Sequence, residues 1–119
     1  MVKIYLKDEE GNQSVLRKAS RRFNLKEEDI EFASGDRFLF TTVFLFAIAH
    51  KKIYLKSTDD KKPEVFNIKD VNGVVIENKV DLNLYLKSGR LINLTSIISA
   101  TKGAQSVLMK FNDAIKANR

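Results

Sequence analysis

Four cations fall within one short stretch, Arg17, Lys18, Arg21 and Arg22, at spacing i, i+1, i+4 and i+5. On an α-helix that spacing gathers them within about 140° of the circumference. A continuous cationic face of this kind can grip carboxylates, a phosphate backbone or lipid headgroups. The competing reading is the solvated side of a docked helix, with Glu27, Glu28 and Asp29 nearby to neutralise it. Catalytic chemistry has far less to draw on. The chain has one histidine, no cysteine and no glycine-rich phosphate loop. His50 ends an apolar run beside Lys51 and Lys52, which suits an exposed strand end. Zinc ligands are missing, and neither Asp8-Glu9-Glu10 nor Asp59-Asp60 has the alternating spacing of a calcium loop. A protein that is not an enzyme, with no cofactor and no metal, is therefore expected.

Phenylalanines at 38, 40, 44 and 46 recur at i, i+2 within each pair, the spacing with which RNA-binding sheets stack bases. Leu39, Val43 and Leu45 occupy the opposite parity, so both faces of these strands are apolar. Core packing is the better explanation for all four rings, and the glycine-containing signature of an RNA-binding sheet is absent.

These residues need elements to hold them. A chain of 119 residues with 44% hydrophobic content makes one domain with an adequate core. The absence of cysteine is compatible with a reducing compartment, and the N-terminal residues lack the apolar core of a signal peptide, so a cytoplasmic location is expected. Residues 38–49 are the most apolar stretch, well short of the roughly 20 residues a membrane-spanning helix requires. Residues 1–35 carry seven Lys/Arg and seven Asp/Glu, so the whole net charge of +6 resides in residues 36–119.

Residues 2–7 alternate as a half-buried strand does. From Ser14 the period changes: Val15, Leu16, Ala19 and Phe23 share one helical face, with Asn12 or Ser14 as N-cap and the four cations opposite. A second short helical turn is expected from Asn24, ending over residues 32–35. Residues 38–48 read as two strands or one long bent strand, residues 51–56 as an amphipathic strand, and residues 57–63 as a loop. Strands at 64–68 and 73–77 would flank a turn at Asn72-Gly73. Val80, Leu82, Leu84 and Leu86 begin a hairpin whose loop is Lys87-Ser88-Gly89, with Gly89 at positive φ, pairing Leu84 with Ile92 and Leu82 with Leu94. A terminal helix from Ser99 or Thr101 would carry Ala104, Val107, Leu108, Phe111 and Ile115 on one stripe. Lys-Ile-Tyr-Leu-Lys occurs at 3–7 and at 52–56, but its flanks differ, so it marks two similar strands and not a repeat.

Asp36-Arg37-Phe38-Leu39-Phe40-Thr41-Thr42 with the apolar run after it, then residues 64–71, the late hairpin and the final helix, resemble the bacterial pleckstrin-homology-like domains, a group related to GRAM domains. The resemblance covers residues 35–119. It implies an α+β fold in which a seven-stranded, strongly bent antiparallel sheet or partly open barrel is closed by a C-terminal amphipathic helix, and a role in binding proteins or membranes. Residues 1–34 lie outside it, as an additional N-terminal strand and helix. No phosphoinositide-binding residue carries over.

The function expected is that of a non-catalytic binding module of bacterial or phage type. A partner protein, met through a sheet edge or end loops, comes first. Peripheral binding to anionic lipid comes second, and nucleic-acid binding through the Arg17, Lys18, Arg21 and Arg22 helix third.

Overall fold

The computed structural model describes residues 1–9, 11–58 and 61–119. Glu10, Asp59 and Asp60 lie outside the described residues, so the two acidic runs are seen only as far as Asp8 and Glu9. The chain runs β1 (Lys3–Leu6), α1 (Gln13–Phe23), β2 (Ile30–Phe38), β3 (Thr41–Ala49), β4 (Lys52–Lys56), β5 (Glu64–Asn67), β6 (Val71–Glu77), β7 (Asp81–Leu86), β8 (Leu91–Thr95) and α2 (Ala104–Ala117). Single 3₁₀ turns at Glu27–Asp29, Ile68–Asp70 and Ile98–Ala100 join some of these. Every described strand pairing is antiparallel. Strands β1 to β5 form one sheet in sequence order and β6 to β8 a second. The α+β class and the closing C-terminal helix agree with expectation. The eight described strands, the expected seven with the additional N-terminal one, divide between two sheets instead of forming a single bent sheet, and no closed barrel forms among the described residues.

Apolar residues of both parities on β3 have separate destinations. Phe44, Phe46 and Ile48 face the second sheet and α2, in a core shared with Phe32, Ile53, Leu55, Val74, Leu82, Leu84 and Phe111. Leu45, Ala47 and Ala49 face the other way, against Val15, Leu16, Ala19 and Phe23 of α1. A strand covered on both sides loses polar alternation, and the alanines allow a helix to approach closely. The repeated pentapeptide obeys the same two-sided logic. Tyr5 and Tyr54 face the α1 side, while Ile4, Leu6, Ile53 and Leu55 face the inter-sheet core.

Phe111 anchors α2. Its ring lies 5.0 Å from Phe32, 5.1 Å from Phe46 and 6.5 Å from Phe44, centroid to centroid. The first two contacts are edge-on, the arrangement aromatic quadrupoles favour. The next residue, Asn112, bonds the β6 backbone, its Nδ2 donating to the Val74 carbonyl at 2.8 Å and its Oδ1 accepting from the Val74 N–H at 2.9 Å. The Arg119 guanidinium donates to the carbonyls of Val71 at 3.1 Å and Asn72 at 2.9 Å. Ahead of β1, the Val2 N–H donates to Thr101 Oγ1 at 3.1 Å.

Several local expectations need correction. Residues 32–35 do not end a helical turn; they sit inside β2, because Glu27–Asp29 completes that turn. Asn72-Gly73 is not a hairpin turn but a bulge in β6. A Cβ at Gly73 would stand 2.8 Å from Asn112 Oδ1, so a larger residue there would have to displace that amide from its bonds to Val74. The terminal helix starts at Ala104, after a 3₁₀ turn and Gly103 at φ +73. In the late hairpin Leu84 pairs with Ile92 and Gly89 has φ +92 as expected, but a bulge next to Leu82 moves that residue opposite Thr95. Phe44 and Phe46 are buried, whereas Phe38 and Phe40 are not core residues at all: they are 59% and 89% exposed at the β2–β3 turn.

Candidate functional site

Helix α1 starts where Asn12 Oδ1 accepts from the N–H groups of Ser14 (3.0 Å) and Val15 (3.3 Å). It ends at Asn24, left-handed at φ 53, whose N–H reaches the Ser20 carbonyl. These caps, with Val15, Leu16, Ala19 and Phe23 buried, fix the helix's rotation on the sheet. Arg17, Arg21 and Arg22 are exposed and Lys18 is half-buried. All four border a single groove of about 670 Å³ between α1 and the β2–β3 hairpin. Lys3, Arg37 and Met1 line it too, as do Gly35 and Leu45.

Lys3 arrives because β1 pairs with β2 in a register that sets it opposite Gly35. Among the described residues one carboxylate lines the groove, Asp36, which is buried with its Oδ1 2.9 Å from the Met1 amino nitrogen. Lys18 Nζ donates to Thr42 Oγ1 at 2.8 Å, tying the helix to β3. No described carboxylate lies within ion-pair distance of Arg17, Arg21 or Arg37. Of the acids expected to neutralise α1, Asp29 is drawn elsewhere, its Oδ2 lying 3.3 Å from His50 Nε2. Arg17 with Arg21, and Lys18 with Arg22, are like-charge pairs at i, i+4, each of which costs a helix about 0.2–0.5 kcal/mol.

The sequence located Arg17, Lys18, Arg21 and Arg22 but missed Lys3, Arg37 and Leu39. Strand pairing brings Lys3 in, and no local pattern announces that. Arg37 and Leu39 stand at the turn where Phe38 pairs with Thr41 and Leu39-Phe40 makes the connection. Neither residue is a turn former. Leu39 nevertheless has φ 55, a left-handed conformation that bulky side chains rarely adopt.

Among the described residues no buried side-chain nitrogen or oxygen lacks a hydrogen-bond partner. On β6 and β7, Glu77 Oε1 accepts from the Tyr85 hydroxyl and from Asn83 Nδ2 (2.9 Å), and Asn83 Oδ1 accepts from Asn93 Nδ2 (2.8 Å). The Tyr85 bond, followed by that from Asn83, holds the Glu77 carboxyl below its usual range. The same bond, with partial burial, raises the Tyr85 hydroxyl. His50 is exposed in the β3–β4 turn, and among the described residues no three His, Cys, Asp or Glu side chains cluster as a metal site. No described helix is long and apolar enough to cross a membrane. The β6 edge is partly occupied by Asn112 and Arg119, whose side chains bond the backbone of Val71, Asn72 and Val74.

No protein-family model matches the chain, and neither a curated protein nor a solved structure shows significant similarity to it.

Proposed function

We propose that the protein is a non-catalytic binding module that takes an anionic partner in the groove between α1 and the β2–β3 hairpin. One observation carries this reading: cations from α1, β1 and β2 converge on one concavity in which Asp36, paired with the Met1 amino nitrogen, is the only carboxylate among the described residues. Crowding like charges around one concavity is unfavourable, so such a groove gains from an anion that bridges its walls. The scaffold supports a pleckstrin-homology-like reading of residues 35–119. Seven antiparallel strands, β2–β8, precede a closing helix as that resemblance implies, with β2 beginning at Ile30, ahead of residue 35. In that reading α1 is an addition outside the core, and the groove is the feature it creates. A partner protein, the first expectation from sequence, would meet this groove with an acidic segment.

The test uses a soluble polyanion, heparin, as probe. Arg17→Glu with Arg21→Glu should weaken binding by about tenfold or more. Lys110→Glu with Lys116→Glu, the same charge change on exposed positions of α2, should have a much smaller effect. Equal losses in the two variants would show attraction to bulk charge and sink the groove assignment.

A further inference from the structure

Resting on that groove reading, we infer that the anionic partner is a lipid bilayer, entered by the tip of the β2–β3 hairpin while the groove cations lie among the headgroups. Phe38, Leu39 and Phe40 are 59%, 78% and 89% exposed, a run of three successive large apolar side chains on the surface. Isolated exposed apolar residues are ordinary, but a contiguous exposed cluster marks a contact surface. Leu39 sits at the apex with φ 55. Asparagine or glycine would relieve that backbone conformation, so a leucine there places an apolar side chain at the tip against local preference.

Shape decides among partners. Successive residues on a tight turn point in different directions, so a folded protein could cover all three only with a socket enclosing the tip. The acyl boundary of a bilayer needs no complementary shape. Single-stranded nucleic acid would use the two rings for stacking, but it has no use for the leucine between them. Charge points the same way. Arg37 adjoins the tip, and Leu39 itself lines the groove with Arg17, Arg21 and Lys3. The apolar tip and its cationic collar are therefore one continuous surface. This is the pairing that peripheral anchoring requires, since neither a small apolar insertion nor a polybasic patch alone holds a protein stably to a membrane.

Sedimentation of the full chain with phosphatidylcholine vesicles, with and without phosphatidylglycerol, tests this assignment. Binding is expected only to the anionic vesicles. Phe38→Ser with Phe40→Ser should lower it by about tenfold or more and leave heparin affinity unchanged. Arg17→Glu with Arg21→Glu should lower both. In a separate variant, Leu39→Trp, the indole emission should shift to the blue on adding anionic vesicles. Membrane insertion is overturned if the wild-type protein binds heparin but not anionic vesicles, which would leave a soluble polyanion or acidic protein as the partner. It is equally overturned if the Phe38/Phe40 variant binds vesicles as well as wild type, or if the indole emission of the Leu39→Trp variant does not move. Loss of the groove reading shows separately, as heparin affinity indifferent to Arg17 and Arg21.

Discussion

Asn112 and Val74 are joined by two hydrogen bonds that copy a strand-to-strand pairing, with a side-chain amide standing in for the missing strand. The amide donates to the Val74 carbonyl at 2.8 Å and accepts from its N–H at 2.9 Å. Val74 is buried, so Asn112→Ala would leave both groups short of partners and should destabilise the fold by about 1–3 kcal/mol. Gly73→Ala should destabilise it too, because the new Cβ would meet Asn112 Oδ1. Urea midpoints of both single variants and the double variant check the link. The double should lose less than the sum, since removing the amide removes the clash. Strict additivity would contradict it.

Phe111 reaches from α2 to touch three phenylalanines of the first sheet, Phe32, Phe44 and Phe46. Phe111→Ala is expected to cost about 3–5 kcal/mol, a large share of a small domain's stability. Phe111→Leu should cost clearly less. Guanidinium unfolding followed by circular dichroism would measure both, and a near-neutral alanine variant would mean that α2 is not anchored as described.

The Glu77–Tyr85 hydrogen bond should make stability depend on pH at both ends. Glu77 titrates below its ordinary value of 4.5, so its contribution is present above that value and lost as pH falls through the lowered one. Tyr85 titrates above 10.0, so its contribution is present below that value and lost as pH rises through the raised one. The difference in urea midpoint between wild type and Tyr85→Phe should thus be constant near neutral pH and shrink in acid. A difference that stays constant through the carboxylate range would count against the bond.

Asn12→Ala removes the acceptor for two N–H groups at the start of α1. About 0.5–2 kcal/mol of stability should be lost, with Asn12→Asp retaining most of it. Hydrogen exchange at Ser14 and Val15 should accelerate in the alanine variant alone.

The amphipathic pattern and cap of α1 were legible in the sequence because a helix is decided by neighbours one turn apart. The same holds for the stripe of α2 and for the Gly89 hairpin, where local chemistry names the turn. Two other turns defied it. Leu39, His50 and Lys51 adopt positive φ without being turn formers, because long pairings on either side dictate the connections. The constraint on Gly73 is hidden for the opposite reason: it arises from Asn112, remote in sequence, which local patterning cannot reveal. Burial of β3 on both faces was visible as apolar residues on both parities, yet the sequence could not say that Phe38 and Phe40 fall beyond the covered length. Within the candidate site, the helix cations were apparent, whereas Lys3 and Arg37 join them only through the pairing of β1 with β2.

The bond from Val2 to Thr101 bears on how the chain acquires its shape during synthesis. The segment leading into β1 can be fastened this way only once residue 101 has cleared the ribosome, whereas α1 and the β2–β3 hairpin emerge far earlier. Until then the first segment must wait beside a nascent sheet whose apolar surface is uncovered. Native-like protection of Val2 should therefore be among the last events of folding, and ribosome-stalled chains ending before Thr101 should bind chaperones more strongly than those extending past α2.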